Sequence, residues 1–185
     1  MKEGYSKYQR LNIPGHAHEL TFSCYRNQPN LTIEGAKEAL AMAIEKAAIT
    51  HQFSLWAYVF MPDHVHMMIF PKVESYSISD ILKSIKQPVS ISVIYRLKKM
   101  NSPILANLKT GLERPPYRFW QDGGGYDRNY WSTEEIREKI EYIHNNPVRK
   151  GLVDTAVDWE WSSARDWMIR EGGRVRIDRG DFPVT

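Results

Sequence analysis

The chain has 185 residues, with 25 Lys and Arg against 22 Asp and Glu, six His and a single Cys. This length can bury one sizeable core, and the lone Cys24 excludes an intramolecular disulfide and a Cys-rich zinc site. Apolar runs of only a few residues exclude a transmembrane helix, and the first twenty residues lack a signal-peptide pattern, which points to a reducing, cytoplasmic setting.

In chain order, a turn at Pro14-Gly15 leads into a first strand over His18 to Tyr25. Thr32 is placed to cap a helix through about Thr50, with Ala36, Ala39, Leu40, Ala43, Ile44 and Ala47 on one face. Phe53 to Phe60 is dense in aromatic and β-branched residues and reads as a second strand. The tight turn Met61-Pro62-Asp63 returns it as a third, His64 to Phe70, in a hairpin. Ser77 or Ser79 starts the next helix, with Ile78, Ile81, Leu82 and Ile85 at helical spacing. Pro88 is expected to kink or split it before Ile91, Ile94 and Leu97 resume the stripe. Asn101 to Pro116 is a loop by composition. A fourth strand is expected from Tyr117 to about Asp127, interrupted at Gly123-Gly124-Gly125. Ser132 or Thr133 caps a further helix that Pro147 stops just after Asn146. A tail with Trp159, Trp161 and Trp167 follows.

The order β-α-β-β-α-β fits an α+β fold, a ferredoxin-like split-βαβ sandwich with a central antiparallel sheet, an extra helix and a C-terminal tail. Residues 1–153 then form the domain, and 154–185 a tail packed on it or extending it. In this topology the third strand lies centrally beside the first. One sheet face holds the helices, and the other is left free for a site.

The net charge of +3 is unevenly spread. Between Lys72 and Arg118 there are nine basic residues and three acidic ones, which marks the middle as an anion- or nucleic-acid-facing surface or an ordinary solvated helix face. Ten Tyr and six Trp offer platforms for unpaired bases, although aromatics more often fill cores.

His64-Val65-His66 is the sharpest local feature. Residues i and i+2 of a strand project from one face, roughly 7 Å apart at Cα, so two imidazoles there can share a divalent metal while Val65 enters the core. A half-buried structural pair is the alternative. Yet the rest of the strand (Met67, Met68, Ile69, Phe70) is apolar, and polar side chains there need a reason. His16-Ala17-His18, at the ragged start of the first strand, is a weaker pair, explained by hydrogen bonding or packing or by a secondary role near the site. In Glu141-Tyr-Ile-His-Asn-Asn146, Tyr142 and Asn146 are i and i+4 and share a helix face. Over the histidine strand, the Asn146 carboxamide would complete a metal site and the Tyr142 hydroxyl would stand beside it as a nucleophile. The alternative for Tyr142 is an amphipathic core residue.

Together these segments resemble the REP-associated tyrosine transposases, a branch of the HUH (His-hydrophobic-His) single-tyrosine transposases. The resemblance is carried by Met61-Pro-Asp-His-Val-His66, Phe119-Trp120-Gln121, Tyr126-Asp127-Arg128, Glu141-Tyr-Ile-His-Asn-Asn-Pro-Val-Arg-Lys-Gly-Leu152, Trp161-Ser-Ser-Ala164 and Leu20-Thr-Phe-Ser23, from about residue 10 to 170. It implies that His64 and His66 bind Mg²⁺ or Mn²⁺, that Tyr142 is the nucleophile, and that Asn146 is the third ligand. Tyr126, after the three glycines, is the rival tyrosine and is kept as a DNA-contacting or structural residue, with Arg128.

The resemblance further implies in-line attack by Tyr142 on single-stranded or hairpin DNA, leaving a 5′-phosphotyrosine and a free 3′-hydroxyl. Lys83, Lys86, Lys98 and Lys99 then become phosphate contacts in the basic middle. Two other readings fit the same residues. One is a domesticated DNA-hairpin-binding module without cleavage; the other is a His-x-His metallo-phosphodiesterase that uses water. Monomer and homodimer are both open, as is whether Tyr142 acts within its own chain.

Overall fold

A computed structural model describes residues 10–183. The four strands β1 (Ala17–Ser23), β2 (Phe53–Phe60), β3 (His64–Pro71) and β4 (Tyr126–Tyr130) form one antiparallel sheet in the order β2-β3-β1-β4. This is the split-βαβ arrangement, with β3 central and beside β1. β1 is one residue earlier and shorter than the sequence pattern implies, because Tyr25 turns into a 3₁₀ segment through Asn27. β2 carries a bulge between Leu55 and Ala57. The extra residue turns Trp56 as well as Ala57 toward the same side of the sheet.

Two helices cover one face: α1 (Ala36–His51) and α2 (Ile78–Lys99). Their apolar stripes meet Leu20, Phe22, Val65, Met67 and Ile69 in the larger core. α1 buries mostly alanines beside Leu40 and Ile44, and these short side chains let α2 approach closely. Thr32 does not cap α1. Its hydroxyl closes a short 3₁₀ turn on the Pro29 carbonyl, and the helix starts after Gly35, which has φ of 66°. A β-carbon at Gly35 would meet only the flexible end of Arg96, so the positive φ is what calls for glycine here.

Pro88 does not split α2. The proline is exposed, and Ile85, Val89, Val93 and Leu97 are buried in one continuous helical phase on the other side. Ile91, expected in the stripe, is therefore out of phase and 61% exposed, while Ile94 is only partly buried.

The fourth strand also differs from expectation. Only Tyr126–Tyr130 pairs as a strand with β1, and residues 117–121 contribute single bridges, including Trp120 opposite Cys24. Gly123 and Gly125 have φ of 85° and 74°, which breaks any extended run. A β-carbon on Gly125 would lie 2.0 Å from the Thr21 carbonyl oxygen. Only glycine lets this segment press against β1 and deliver Tyr126 into register.

The second sheet face is not left open. α3 (Thr133–His144) crosses it, burying Ile136, Ile140 and Ile143 against Ala17, Val59, Met68 and Tyr130 in a smaller core. Ser132 caps α3 by accepting from the Glu135 amide, with Glu134 and Glu135 in the favourable first turn. α3 ends at His144, earlier than expected. Asn146 opens a separate short helix, α4 (Asn146–Arg149), whose second residue is Pro147.

The tail returns along the outer edge of β2. Phe60 donates to the Trp161 carbonyl at 2.8 Å, Ser163 donates to the Tyr58 carbonyl at 3.0 Å, and the Ser163 hydroxyl accepts from the Tyr58 amide at 2.9 Å. The Trp159 and Trp167 indoles donate to the Phe60 and Trp56 carbonyls. Beyond the short helix α5 (Ala164–Met168), Val175 and Phe182 are buried in the larger and smaller cores respectively. Among the described residues, no helix is long and apolar enough to cross a membrane.

Candidate active site

β3 leaves the Met61–Asp63 turn with His64, His66, Met68 and Phe70 on the α3 side and Val65, Met67 and Ile69 in the larger core. The rings of His64 and His66 are 4.9 Å apart and nearly perpendicular. Each has its Nδ1 already engaged. His66 Nδ1 is 2.8 Å from the hydroxyl of Thr21, its partner across β1, and His64 Nδ1 is 2.6 Å from Asp63 Oδ1. A carboxylate only accepts, so His64 donates to Asp63 through Nδ1, which leaves Nε2 as the ring nitrogen not engaged in that bond. The threonine hydroxyl can hold the same tautomer at His66. Burial, with His64 and Lys139 nearby, pushes the His66 imidazole down to about 3. It is therefore neutral, the form in which imidazole ligates metals.

α3 brings Tyr142 to this pair. Its ring stands edge-on to His66 at 6.2 Å between centroids, and the residue is 38% exposed. It is not a core tyrosine. Asn146 is joined to the group through Tyr142: its carboxamide nitrogen donates to the Tyr142 carbonyl at 2.9 Å and lies 3.4 Å from that of Ile143. That contact caps the end of α3 and preserves the i, i+4 relation although the two residues lie on different helices. With the nitrogen engaged, the oxygen is the carboxamide atom left to act as an acceptor or ligand.

Among the described residues, no group of three His, Cys, Asp or Glu is positioned to hold a metal. Any cation here would rely on the two imidazoles and a neutral oxygen such as that of Asn146. Such a neutral nitrogen and oxygen set leaves further positions for water or phosphate oxygens and fits a divalent ion of that preference.

His16 and His18 belong elsewhere. His18 is fully buried on the opposite face, with Nδ1 2.8 Å from Asp127 and Nε2 2.8 Å from the Tyr76 hydroxyl, and His16 packs on Trp131. A satisfied hydrogen-bonding role explains His18, and the expected secondary role near the site is not supported. His144, between Tyr142 and Asn146, is also structural. Burial pushes it down to about 4, and its Nε2 lies 2.8 Å from the Ser163 hydroxyl in the tail.

The residues put forward for DNA contact divide between the two faces. Tyr126 and Arg128 are exposed on β4, opposite Thr21 and Glu19, and so on the histidine side. Lys83 and Lys86 project from α2 instead, lining a cavity of about 570 Å³ with Arg10, Arg118, Tyr117 and Trp120. Lys86 donates to the Gly123 carbonyl at 2.8 Å, so part of its role is to hold the glycine segment. Lys98 lies over the Tyr117 ring at 4.9 Å, and Lys99 is exposed at the end of α2. None of these four lysines is beside the His64–His66–Tyr142 group. The sequence reading missed Thr21 and Asp63, which orient the two imidazoles. Asp63 was legible by adjacency; Thr21 needed the strand register.

This architecture defines a class: a split-βαβ sandwich whose central strand presents paired histidines to a tyrosine on an added helix. The family model for transposases described as IS200 like matches residues 15–146, and the chain belongs to that family. It is 26% identical, over 158 residues, to a REP-associated tyrosine transposase of Escherichia coli K12, covering 85% of this chain and 82% of that one. Its fold matches the solved structure of a REP-associated tyrosine transposase bound to a REP hairpin with a TM-score of 0.68. That match has 22% identity and covers 98% of this chain and 100% of the other.

Proposed function

We propose that the protein is a metal-dependent single-stranded DNA endonuclease and strand transferase that acts on DNA hairpins in the cytoplasm through a 5′-phosphotyrosine intermediate. The observation that carries this reading is the contact of Tyr142 with His66 and, through it, His64 within one chain. The same proximity supports action of Tyr142 in its own subunit.

His64, His66 and Asn146 would hold Mg²⁺ or Mn²⁺, and the imidazole pair favours Mn²⁺ by ligand type. When bound, such an ion supplies Lewis-acid polarisation of a phosphate oxygen. The chain's own residues do the rest. Thr21 and Asp63 fix the imidazole tautomers, and Asn146 ties the backbone of Tyr142 to the start of α4. The Tyr142 oxygen forms a bond to the scissile phosphorus as the bond from phosphorus to the 3′ oxygen breaks. The phenol proton leaves to solvent, and the departing 3′ oxygen takes one up. The phosphotyrosyl bond retains the diester's energy, so another 3′-hydroxyl can reverse the step and join strands. Exposed Tyr126 and Arg128 on the same face are suited to the bound strand by stacking and by phosphate contact.

The test is incubation with Mn²⁺ or Mg²⁺ and a labelled hairpin oligonucleotide bearing single-stranded flanks. A denaturation-resistant adduct that disappears in Tyr142→Phe is expected, and His64→Ala should lose cleavage while retaining hairpin binding. Cleavage that survives Tyr142→Phe would identify a phosphodiesterase using water. Binding without adduct or cleavage would identify a hairpin-binding module.

A further inference from the structure

Glu19 is a carboxylate with no evident packing role. It lies in the middle of β1 on the α3 side, 3% exposed, opposite Met68 and beside the apolar residues of the smaller core. A buried charge there is costly, and an apolar side chain of similar size would pack at least as well. Its Oε2 is nevertheless fully engaged. The Tyr130 hydroxyl donates to it at 3.0 Å, and Lys139 Nζ lies 3.3 Å away. Burial and the carboxylate push the Tyr130 phenol well above its ordinary range, so this hydroxyl remains a donor.

Lys139 is three residues before Tyr142 on α3, so the two side chains share a helix face. Its ammonium lies 4.2 Å from the centroid of the Tyr142 ring. Arg149, from α4, places its guanidinium carbon 4.6 Å from the same centroid. Both cations are thus on the tyrosine ring that faces His66. A cation over an aromatic face is attracted by the ring quadrupole, most strongly where water is partly excluded. A surface lysine would lose that geometry to side-chain entropy. Lys139 is tied at its far end by a buried carboxylate and is only 23% exposed.

We propose that Lys139 is a positioning residue for the Tyr142 nucleophile, and that Glu19 and Tyr130 are the buried anchor that holds Lys139 in place. The proposal rests on the strand-transfer reading for its consequence in catalysis, but the positioning itself is a property of the free protein. Anchoring the ammonium restricts the ring to the rotamer that meets His66, which removes conformational freedom before DNA arrives. It also leaves fixed positive charge where a phosphate must approach.

Two measurements test this. In the metal-free, DNA-free protein carrying ¹³C-labelled tyrosine, the Tyr142 ring resonances are assigned by their loss in Tyr142→Phe. Lys139→Met is expected to shift and broaden them, Glu19→Gln to do so partially, and Lys139→Arg to leave them near the wild-type positions. In single-turnover assays, Lys139→Met is expected to lower the rate at saturating hairpin about 10- to 100-fold, as a displaced nucleophile would. The hairpin Kd should change less than about threefold, since a cation lost from phosphate contact would instead weaken binding. Lys139→Arg should restore most of the rate. The proposal is overturned if the resonances are unmoved in Lys139→Met, if the loss is confined to Kd, or if Lys139→Arg restores neither readout. Retained hairpin binding shows that each variant is folded. If the wild type forms no adduct, the strand-transfer reading fails on its own and the resonances still decide the positioning.

Discussion

The two faces of the sheet solve different problems with the same strands. On the α1–α2 face, β1 and β3 present Leu20, Phe22, Val65, Met67 and Ile69 to two long helices in a continuous apolar core. On the α3 face the same strands present Glu19, Thr21, His64 and His66 beside a smaller core, covered by one helix and the returning tail. The alternation of a strand lets one register serve both purposes. Polar residues on the second face are partnered one by one: Thr21 with His66, Asp63 with His64, Glu19 with Lys139 and Tyr130. A face built this way gives up packing energy for defined geometry.

Substitutions should therefore separate by face. The largest effect is expected from His66→Ala, which should lower adduct formation by about a thousandfold. Its melting temperature should barely move, and a large fall in thermal stability would show that the α3 face is structural instead. Next is Ile85→Ala on the opposite face, a fully buried side chain in the larger core. It should cost about 2–5 kcal/mol in denaturant unfolding while the rate per folded molecule stays unchanged. Ser163→Ala sits where the two regimes meet, since it removes the partner of both His144 Nε2 and the Tyr58 amide. A loss of about 1–3 kcal/mol is expected, together with a smaller fall in rate as the end of α3 loosens.

The smallest effect tests the tail. Lys72 bridges Asp178 at 2.7 Å, which lowers the Asp178 carboxyl and raises the Lys72 ammonium, in each case chiefly through their hydrogen bond. The depressed carboxylate contributes stability above the ordinary carboxylate range, and this is lost as the pH falls through its folded value. The raised ammonium contributes up to the ordinary lysine range and loses that contribution only at higher pH. Both groups are largely exposed, so the pair should be worth less than about 1 kcal/mol. The difference in melting temperature between wild type and Lys72→Ala should be measurable at pH 7 and shrink as the pH falls below the ordinary carboxylate range. A difference that persists in acid would assign the contact to packing.

What the sequence disclosed follows the range of the interactions involved. Period-two alternation and the Met61–Asp63 turn are local, and they sufficed for the β2–β3 hairpin and for the outward pair His64 and His66. Tyr142 and Asn146 lie on different helices, and what joins them is the Asn146 carboxamide on the Tyr142 backbone carbonyl. The start of α1 differs from the expectation because Thr32 closes a separate 3₁₀ turn and the left-handed Gly35 opens the helix. The start of β4 has a tertiary cause, since Gly125 must clear the Thr21 carbonyl. Pro88 does not split α2, because the proline lies on the water-facing side of a helix whose buried stripe continues past it. The basic middle was visible as charge, but only the fold shows that Lys83 and Lys86 lie across the sheet from Tyr142.

The returning tail has a consequence for how the molecule comes into being. Residues 159–163 and Trp167 bond the outward amides and carbonyls of β2 from Trp56 to Phe60, groups that would otherwise form an open sheet edge. Every strand and both core helices are translated before that covering segment. Until that segment is made, the edge of β2 is open to pairing with an extended neighbour. The same stroke of folding brings Ser163 to His144 and so seats the end of α3. Ser163 thus serves two tasks at once, closing the edge of β2 and bracing the end of the helix that carries Tyr142.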